Sequence, residues 1–254
     1  MNNHINLKIN NVSKSFPKVD TNQTINAVKD INLEINNNDF VCLVGPSGCG
    51  KSTILRLISG LITPTTGEII LNDEKITGPT DKIAMVFQKP TLYPWLTVYD
   101  NIAFGLRIHK EKEEVIKEKV LNMIDLINLN DFTSSFPSEL SGGMAQRVAL
   151  ARAIVNDPKV ILFDEPLGAL DAFTRMKMQD EIISIWAKKK QLAIMVTHDI
   201  EEAVYMSTKV VVIDKNPGRI KKIIDIDMPY KRDRESMKFI EYRNEILSLL
   251  KESI

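Results

Sequence analysis

Cysteine is scarce in this chain, with only Cys42 and Cys49 among 254 residues. That excludes a disulfide framework and matches the usage of a reducing compartment. An excess of one charge is also missing, because Lys+Arg 33 and Asp+Glu 33 cancel to zero. A broad nucleic-acid-binding face is therefore not expected, and the local clusters Lys188-Lys189-Lys190 and Lys231-Arg232 read as solvated faces. No apolar run approaches the about 18 residues needed to cross a bilayer. Met1-Asn2-Asn3-His4 does not open like a signal peptide, so the expectation is a cytosolic chain unless a partner brings it to a membrane. Internal repeats and low-complexity segments are absent as well. What remains is a 44% hydrophobic chain, long enough for one large domain or a main domain with a subdomain.

Within that chain the stretch Gly45-Pro46-Ser47-Gly48-Cys49-Gly50-Lys51-Ser52-Thr53 fits a phosphate-binding loop: a glycine, four residues, then Gly-Lys-Ser. Phe40 to Val44 before it reads as a buried strand. Ile54 to Ser59 after it reads as a helix closed by Gly60. Glycines let successive N–H groups point inward, and the new helix adds its positive dipole end where a polyphosphate would lie. Lys51 would hold the β and γ phosphates, and the Ser52 hydroxyl would bind Mg²⁺. Cys49 is read simply as a small residue.

Three more apolar runs read as buried strands, and each delivers a polar group at its C-terminal end, where open α/β sheets keep their ligand crevice. Ile83 to Phe87 delivers Gln88, whose amide could reach Mg²⁺ or an attacking water, or merely cap a loop. Val160 to Phe163 leads into Asp164-Glu165-Pro166. Alternation along a strand would turn these carboxylates to opposite faces, Asp164 to the Mg²⁺ shell and Glu165 to the γ-phosphate as general base. Leu192 to Thr197 delivers His198, a candidate γ-phosphate contact; the other histidines, His4 and His109, have no such placement.

Elsewhere, residues 5–9 and 31–35 alternate as two antiparallel edge strands, with Phe16 in a polar loop between them, free to stack on an adenine ring or simply to pack. From Pro90 to about Asp157 the period turns helical: Thr97 caps one helix, and Ile116, Val120, Met123, Ile124 and Ile127 form an apolar stripe. Tyr93-Pro94-Trp95-Leu96 is either core or a partner-docking patch. Ser141-Gly142-Gly143 opens a further helix and is either a second anion site or a plain N-cap. As an anion site it would have to close on something elsewhere, within the chain or on another copy. Asp171 could cap the helix from about Phe173 to Lys188. Lys209 to Ile226 reads as a hairpin, and the tail from Arg234 reads as a helix with Met237, Ile240, Leu247 and Leu250 on one face.

Together these stretches resemble the ATP-binding cassette family over nearly the whole chain. Gly45 to Ser52 is similar to its Walker A loop, Gln88 to its Q-loop and Leu140 to Gly143 to its signature. Asp164-Glu165 resembles its Walker B pair, Gly168 to Asp171 its D-loop and His198 its switch histidine, with Phe16 at the adenine-stacking position. Met144 departs from the glutamine usual in the signature. The resemblance implies an α/β fold of the P-loop NTPase, RecA-like kind: a mainly parallel sheet core with an antiparallel β subdomain and an inserted helical subdomain. The implied boundaries are 1–88 and 158–230 for the core, 89–157 for the helical part and 231–254 for a C-terminal helix. It further implies ATP and Mg²⁺ as cofactors, with Asp171 and Ser141 to Gly143 joining the phosphate loop at the nucleotide. The expected assembly is a head-to-tail dimer with itself or a close relative, without nucleic acid. Gln88 with Leu92 to Val98, and Glu165 to Asp171, resemble importer ATPases of the nitrate, sulfonate and taurine group. That likeness implies permease subunits, a solute-binding protein and a peripheral place on the cytoplasmic face of the membrane. A soluble cassette ATPase is the alternative. A GTPase would need an Asn-Lys-x-Asp motif that the chain lacks.

Overall fold

The computed structural model describes residues 5–18, 23–168, 170–189 and 191–252. His4, Ala169 within the 168–171 stretch and Lys190 of the basic cluster lie outside the described residues. In chain order the elements begin with strands β1 (Asn6–Pro17), β2 (Thr24–Asn36) and β3 (Phe40–Val44), followed by helix α1 (Lys51–Ile58). Strands β4 (Thr66–Leu71), β5 (Glu74–Lys75) and β6 (Ile83–Val86) come next, then helices α2 (Val98–Ile108), α3 (Glu113–Leu126) and α4 (Gly142–Ile154). The chain continues through β7 (Val160–Asp164), α5 (Ala172–Lys189), β8 (Leu192–Val196) and α6 (Ile200–Met206). It finishes with β9 (Lys209–Asp214), β10 (Arg219–Asp225) and α7 (Met237–Lys251). Two compact units divide it: Met1–Thr80 with Ile183–Ile254, and Asp81–Ile182.

In the first unit β3 pairs in parallel with β8 on one side and β9 on the other, and β10 adds antiparallel to β9. A strand flanked on both sides and covered on both faces has no place for a polar residue. Phe40–Val44 and Leu192–Val196 are accordingly buried at every position. Phe40 meets Trp186 edge-on at 5.7 Å, and the Trp186 indole N–H donates to the Gln191 carbonyl at 2.8 Å. An antiparallel sheet of order β2-β1-β4-β5 completes this unit.

That antiparallel sheet corrects two readings. β1 lies between β2 and β4 rather than at an edge, and it runs on through Phe16, which is a strand residue and not part of a loop. Its register shifts at Ile9/Val12, Val12/Lys14 and Lys14/Ser15, and Asn11 adopts a φ of 49°. Each shift resets the inside–outside phase, so the strand continues where alternation in the sequence stops.

In the second unit β6 pairs in parallel with β7, and α2 packs on both α3 and α4. The expected stripe of α3 is real: Ile116, Val120, Met123, Ile124 and the following Ile127 are all buried, each worth roughly 1.5–3 kcal/mol for the larger side chains. Thr97 caps α2 by accepting from the Asp100 N–H at 3.1 Å. β6 departs from expectation. It stops at Val86, its first three residues are only half-buried, and Phe87 is 40% exposed. An open cleft lined by Ile83, Met85, Thr91, His109, Arg152 and Asn156 runs along it and leaves its apolar side chains partly uncovered.

The tail also differs from its reading. α7 buries Phe239 and Ile246, seven residues apart, whereas Met237 is 78% exposed and Leu247 37%. Seven residues complete almost two full turns, so Phe239 and Ile246 mark one face. The expected stripe lies roughly a quarter-turn away from it.

Candidate nucleotide site

The phosphate loop follows β3 directly, because the strand must end where the glycines begin. Gly50 is the N-cap of α1 at φ 93°, a left-handed conformation that glycine adopts without strain. A Cβ there would also lie 2.5 Å from Val28 Cγ1 and 2.8 Å from the Ala27 carbonyl. Gly45 is required for closeness instead, since a Cβ would meet the Ile213 carbonyl at 2.5 Å and Cys49 Sγ at 2.7 Å. α1 has no side-chain cap, so its first-turn N–H groups and its dipole serve the loop rather than a capping side chain. Lys51 is 5% exposed and donates to the Gly45 carbonyl at 2.8 Å and the Pro46 carbonyl at 3.1 Å. The ammonium thus sits within the curl of its own loop, with Cys49 Sγ 3.7 Å away. Burial pushes the Cys49 thiol above its ordinary pKa even beside that cation.

β2 and the β9–β10 turn hold the loop from behind. Gly218 donates to the Ala27 carbonyl at 3.1 Å, and a Cβ on it would lie 2.1 Å from the Cys49 carbonyl. A Pro-Gly pair, Pro217-Gly218, marks the tip of the hairpin read from Lys209 to Ile226, but what that tip abuts is a tertiary fact. Phe16 pairs across to Ile25, two residues and about 7 Å along β2 from Ala27. Its ring is 38% exposed, with Lys14 Nζ 5.2 Å from the centroid.

His198 joins the same unit. Leu43 pairs with Val196, and the Thr197 N–H donates to the Leu43 carbonyl at 3.3 Å. The histidine therefore leaves the sheet beside the strand that feeds the phosphate loop. Its backbone is fixed on both sides: Thr197 Oγ1 accepts from the Asp199 N–H at 3.0 Å, and Asp199 caps α6 by accepting from Glu201 and Glu202.

The second unit carries the other candidates. Val86 pairs with Phe163, so Gln88 and the Asp164-Glu165 pair leave β6 and β7 at the same end. A Cβ on Gly168 would lie 3.5 Å from Gln88 Nε2 and 3.6 Å from the Glu165 carbonyl, which places that amide beside the turn after β7. Asp164 ends the strand as expected. Glu165 does not continue it: its φ is 49°, so the two carboxylates are separated by a left-handed turn rather than by strand alternation. A non-glycine residue held there stores strain of order 1–3 kcal/mol, of the kind that gathers at functional sites. Asp171 caps α5, accepting from the Thr174 N–H at 3.0 Å, and the Thr174 donors hold its carboxyl below the usual carboxylate range.

Ser141 is the N-cap of α4, accepting from the Met144 N–H at 3.3 Å, and both it and Gly142 are exposed. Cap and anion site are thus compatible, since Ser141 takes one donor and leaves the glycine N–H groups at the helix tip. Tyr93 packs on Phe104 at 4.5 Å and on Trp95 at 5.6 Å, while Trp95 itself is 70% exposed. Sequence reasoning missed Asn101, Gln146 and Arg152, which hold the segment after β6. Arg152 had a signal, as the one charged residue from Val148 to Ile154. Burial lowers the pKa of its guanidinium.

Residues 28–168 match the family profile described as ABC transporter. The chain is 46% identical over 241 residues to an aliphatic sulfonates import ATP-binding protein of Bacillus cereus, covering 95% of this chain and 94% of that one. An uncharacterized ABC transporter ATP-binding protein of Methanocaldococcus jannaschii is 44% identical, over 98% of this chain and 93% of its own. Among solved structures, a dimeric ATP-binding cassette in a post-hydrolysis state with ADP and Pi is similar at a TM-score of 0.76 and 32% identity. The match covers 88% of this chain and 100% of that one. Another, cbiO1 from Clostridium perfringens, part of the ABC transporter complex cbiONQ, has the same TM-score at 25% identity, covering 87% and 88%.

Proposed function

This chain belongs to the ABC transporter family as an ATP-hydrolysing cassette, and we propose from that premise that it energises an importer of sulfonates, nitrate, taurine or a similar small solute. The observation that carries the importer reading is the 46% identity, across nearly both whole chains, to the sulfonate import ATP-binding protein. The dimeric relatives support a working unit of two chains, and the import relatives support permease partners and a peripheral place at the cytoplasmic face of a membrane. Among the described residues no helix is long and apolar enough to cross a membrane. The exposed Trp95 with Tyr93 and Leu96 would meet the permease.

In this proposal the loop from Gly45 to Thr53 wraps the ATP phosphates, Lys51 pairs with the β and γ groups, and Phe16 stacks on the adenine. Mg²⁺ would be held by the Ser52 hydroxyl, the Gln88 amide oxygen and the Asp164 carboxylate. Neutral and anionic oxygens suit this hard cation, and among the described residues no cluster of three His, Cys, Asp or Glu offers a competing cage. Bound there, it would neutralise charge on the phosphate oxygens. Glu165 takes the proton of the attacking water, an oxygen–phosphorus bond forms in line, and the bond to ADP breaks. His198 and the partner's copy of the Ser141-Gly142-Gly143 tip contact the γ-phosphate, with Asp171 at the junction of the two chains.

The test is co-expression with candidate permease and solute-binding subunits. ATP turnover of the purified complex should rise several-fold with a loaded sulfonate-binding protein. Turnover indifferent to every such protein, with no permease retained, would contradict the importer reading.

A further inference from the structure

The segment after β6 is gripped at several points by the helix that carries the Ser141 tip. Gln146 on α4 is 3% exposed, and its Nε2 donates to the Phe87 carbonyl at 3.3 Å, immediately before Gln88. Six residues further on, Arg152 Nη2 donates to the Thr91 carbonyl at 2.8 Å, three residues past Gln88. Six residues of helix span about 9 Å, so the loop is held at both ends and not at one pivot. Arg152 also reaches Asn101 Oδ1 at 3.4 Å. Asn101, fully buried, in turn accepts from the Tyr93 N–H and donates to the carbonyls of Tyr93, Leu96 and Thr97. The guanidinium lies 5.2 Å from the Tyr93 ring centroid as well. On its other side α4 is braced by Arg147, paired with Glu181 of α5 at 3.1 Å.

We propose that Gln146 and Arg152 are positioning residues which strap the Gln88 loop to α4, so that this loop and the Ser141 tip move as one piece. The inference rests on the roles proposed above for Gln88 and Ser141. Its consequence is a link between the two nucleotides of a dimer. Any shift of Gln88 at one nucleotide is carried along α4 to the tip that serves the other, because two side-chain hydrogen bonds from one helix to the backbone carbonyls of Phe87 and Thr91 hold the loop at both ends. A fork that reaches two acceptors at once is also something that lysine cannot copy.

The test uses the full chain carrying Gln146→Met, Arg152→Lys and both changes. ATP affinity without turnover should stay within about twofold of the parent, because the phosphate loop belongs to the other unit. Turnover should fall roughly tenfold in the double variant, as loss of positioning does. The Hill coefficient for ATP should drop toward one, with Arg152→Lys intermediate. Amide exchange across 88–91 should quicken in parallel, which reads the strap without reference to activity. Parental turnover and cooperativity in the double variant would overturn the proposal. So would a loss of activity that merely follows a lowered melting temperature and lost ATP binding. Gln88→Ala and Ser141→Gly measured alongside separate the two levels. If they too leave turnover intact, the underlying roles fail; if they lower it and the strap variants do not, only the strap fails.

Discussion

Two glycine-bearing helix tips stand in this chain, and they differ in completeness. The tip of α1 is folded into a loop that contains its own cation, with Lys51 buried and bonded to the loop carbonyls. The tip of α4 is exposed, carries no acidic residue in its first turn and no lysine or arginine before Arg147, and spends its serine on a cap. Both offer N–H groups and a positive dipole end. Only the first can neutralise a polyphosphate unaided. The second can add a few donors to an anion already held, which is what a half-site completed by another molecule requires.

The comparison can be broken at either tip. Glu165→Gln should leave ATP binding intact and lower turnover about a hundredfold or more, as loss of a positioned base does. Steady-state phosphate release checks it, and near-parental rates would remove Glu165 from its role. Lys51→Ala should weaken ATP binding by roughly 30- to 100-fold, since a buried, charge-assisted contact is lost; an unchanged affinity in nucleotide titration would count against the self-contained pocket. Phe16→Ala should cost about 1–3 kcal/mol of ATP affinity if the ring stacks on the base, and Phe16→Tyr nothing measurable. Ser141→Gly sharpens the contrast. Glycine is an adequate N-cap, so stability should change by only a few tenths of a kcal/mol, while turnover falls roughly tenfold or more through loss of the hydroxyl donor. Equal losses of stability and turnover would reduce Ser141 to its capping role.

Much of this was legible where the physics is local. Phe40 to Val44 and Leu192 to Val196 show burial in their composition, Thr97 and Asp171 announce their caps, and the glycines of the phosphate loop sit where backbone geometry demands them. Legibility ended where a neighbour sets the phase. The shifts in β1 hid the strand that carries Phe16, and the left-handed Glu165 turn is invisible to a rule of alternation. The buried face of α7 was misplaced because Met237 and Leu247 are as apolar as residues that do pack. The contacts of Gln146, Arg152, Asn101 and Gly218 escaped notice because they are made to main-chain carbonyls, which leave no trace in side-chain pattern.

Two chains that close over shared nucleotide double in mass, and the slow-turnover chain reads that directly. Glu165→Gln should sediment as a 28.8 kDa monomer without nucleotide and at twice that mass, 2 × 28.8 = 57.6 kDa, with ATP. Adding Ser141→Arg should abolish the doubling while ATP remains bound through Lys51. A chain that binds ATP yet stays at the monomer mass, or one that doubles regardless of Ser141→Arg, would contradict it.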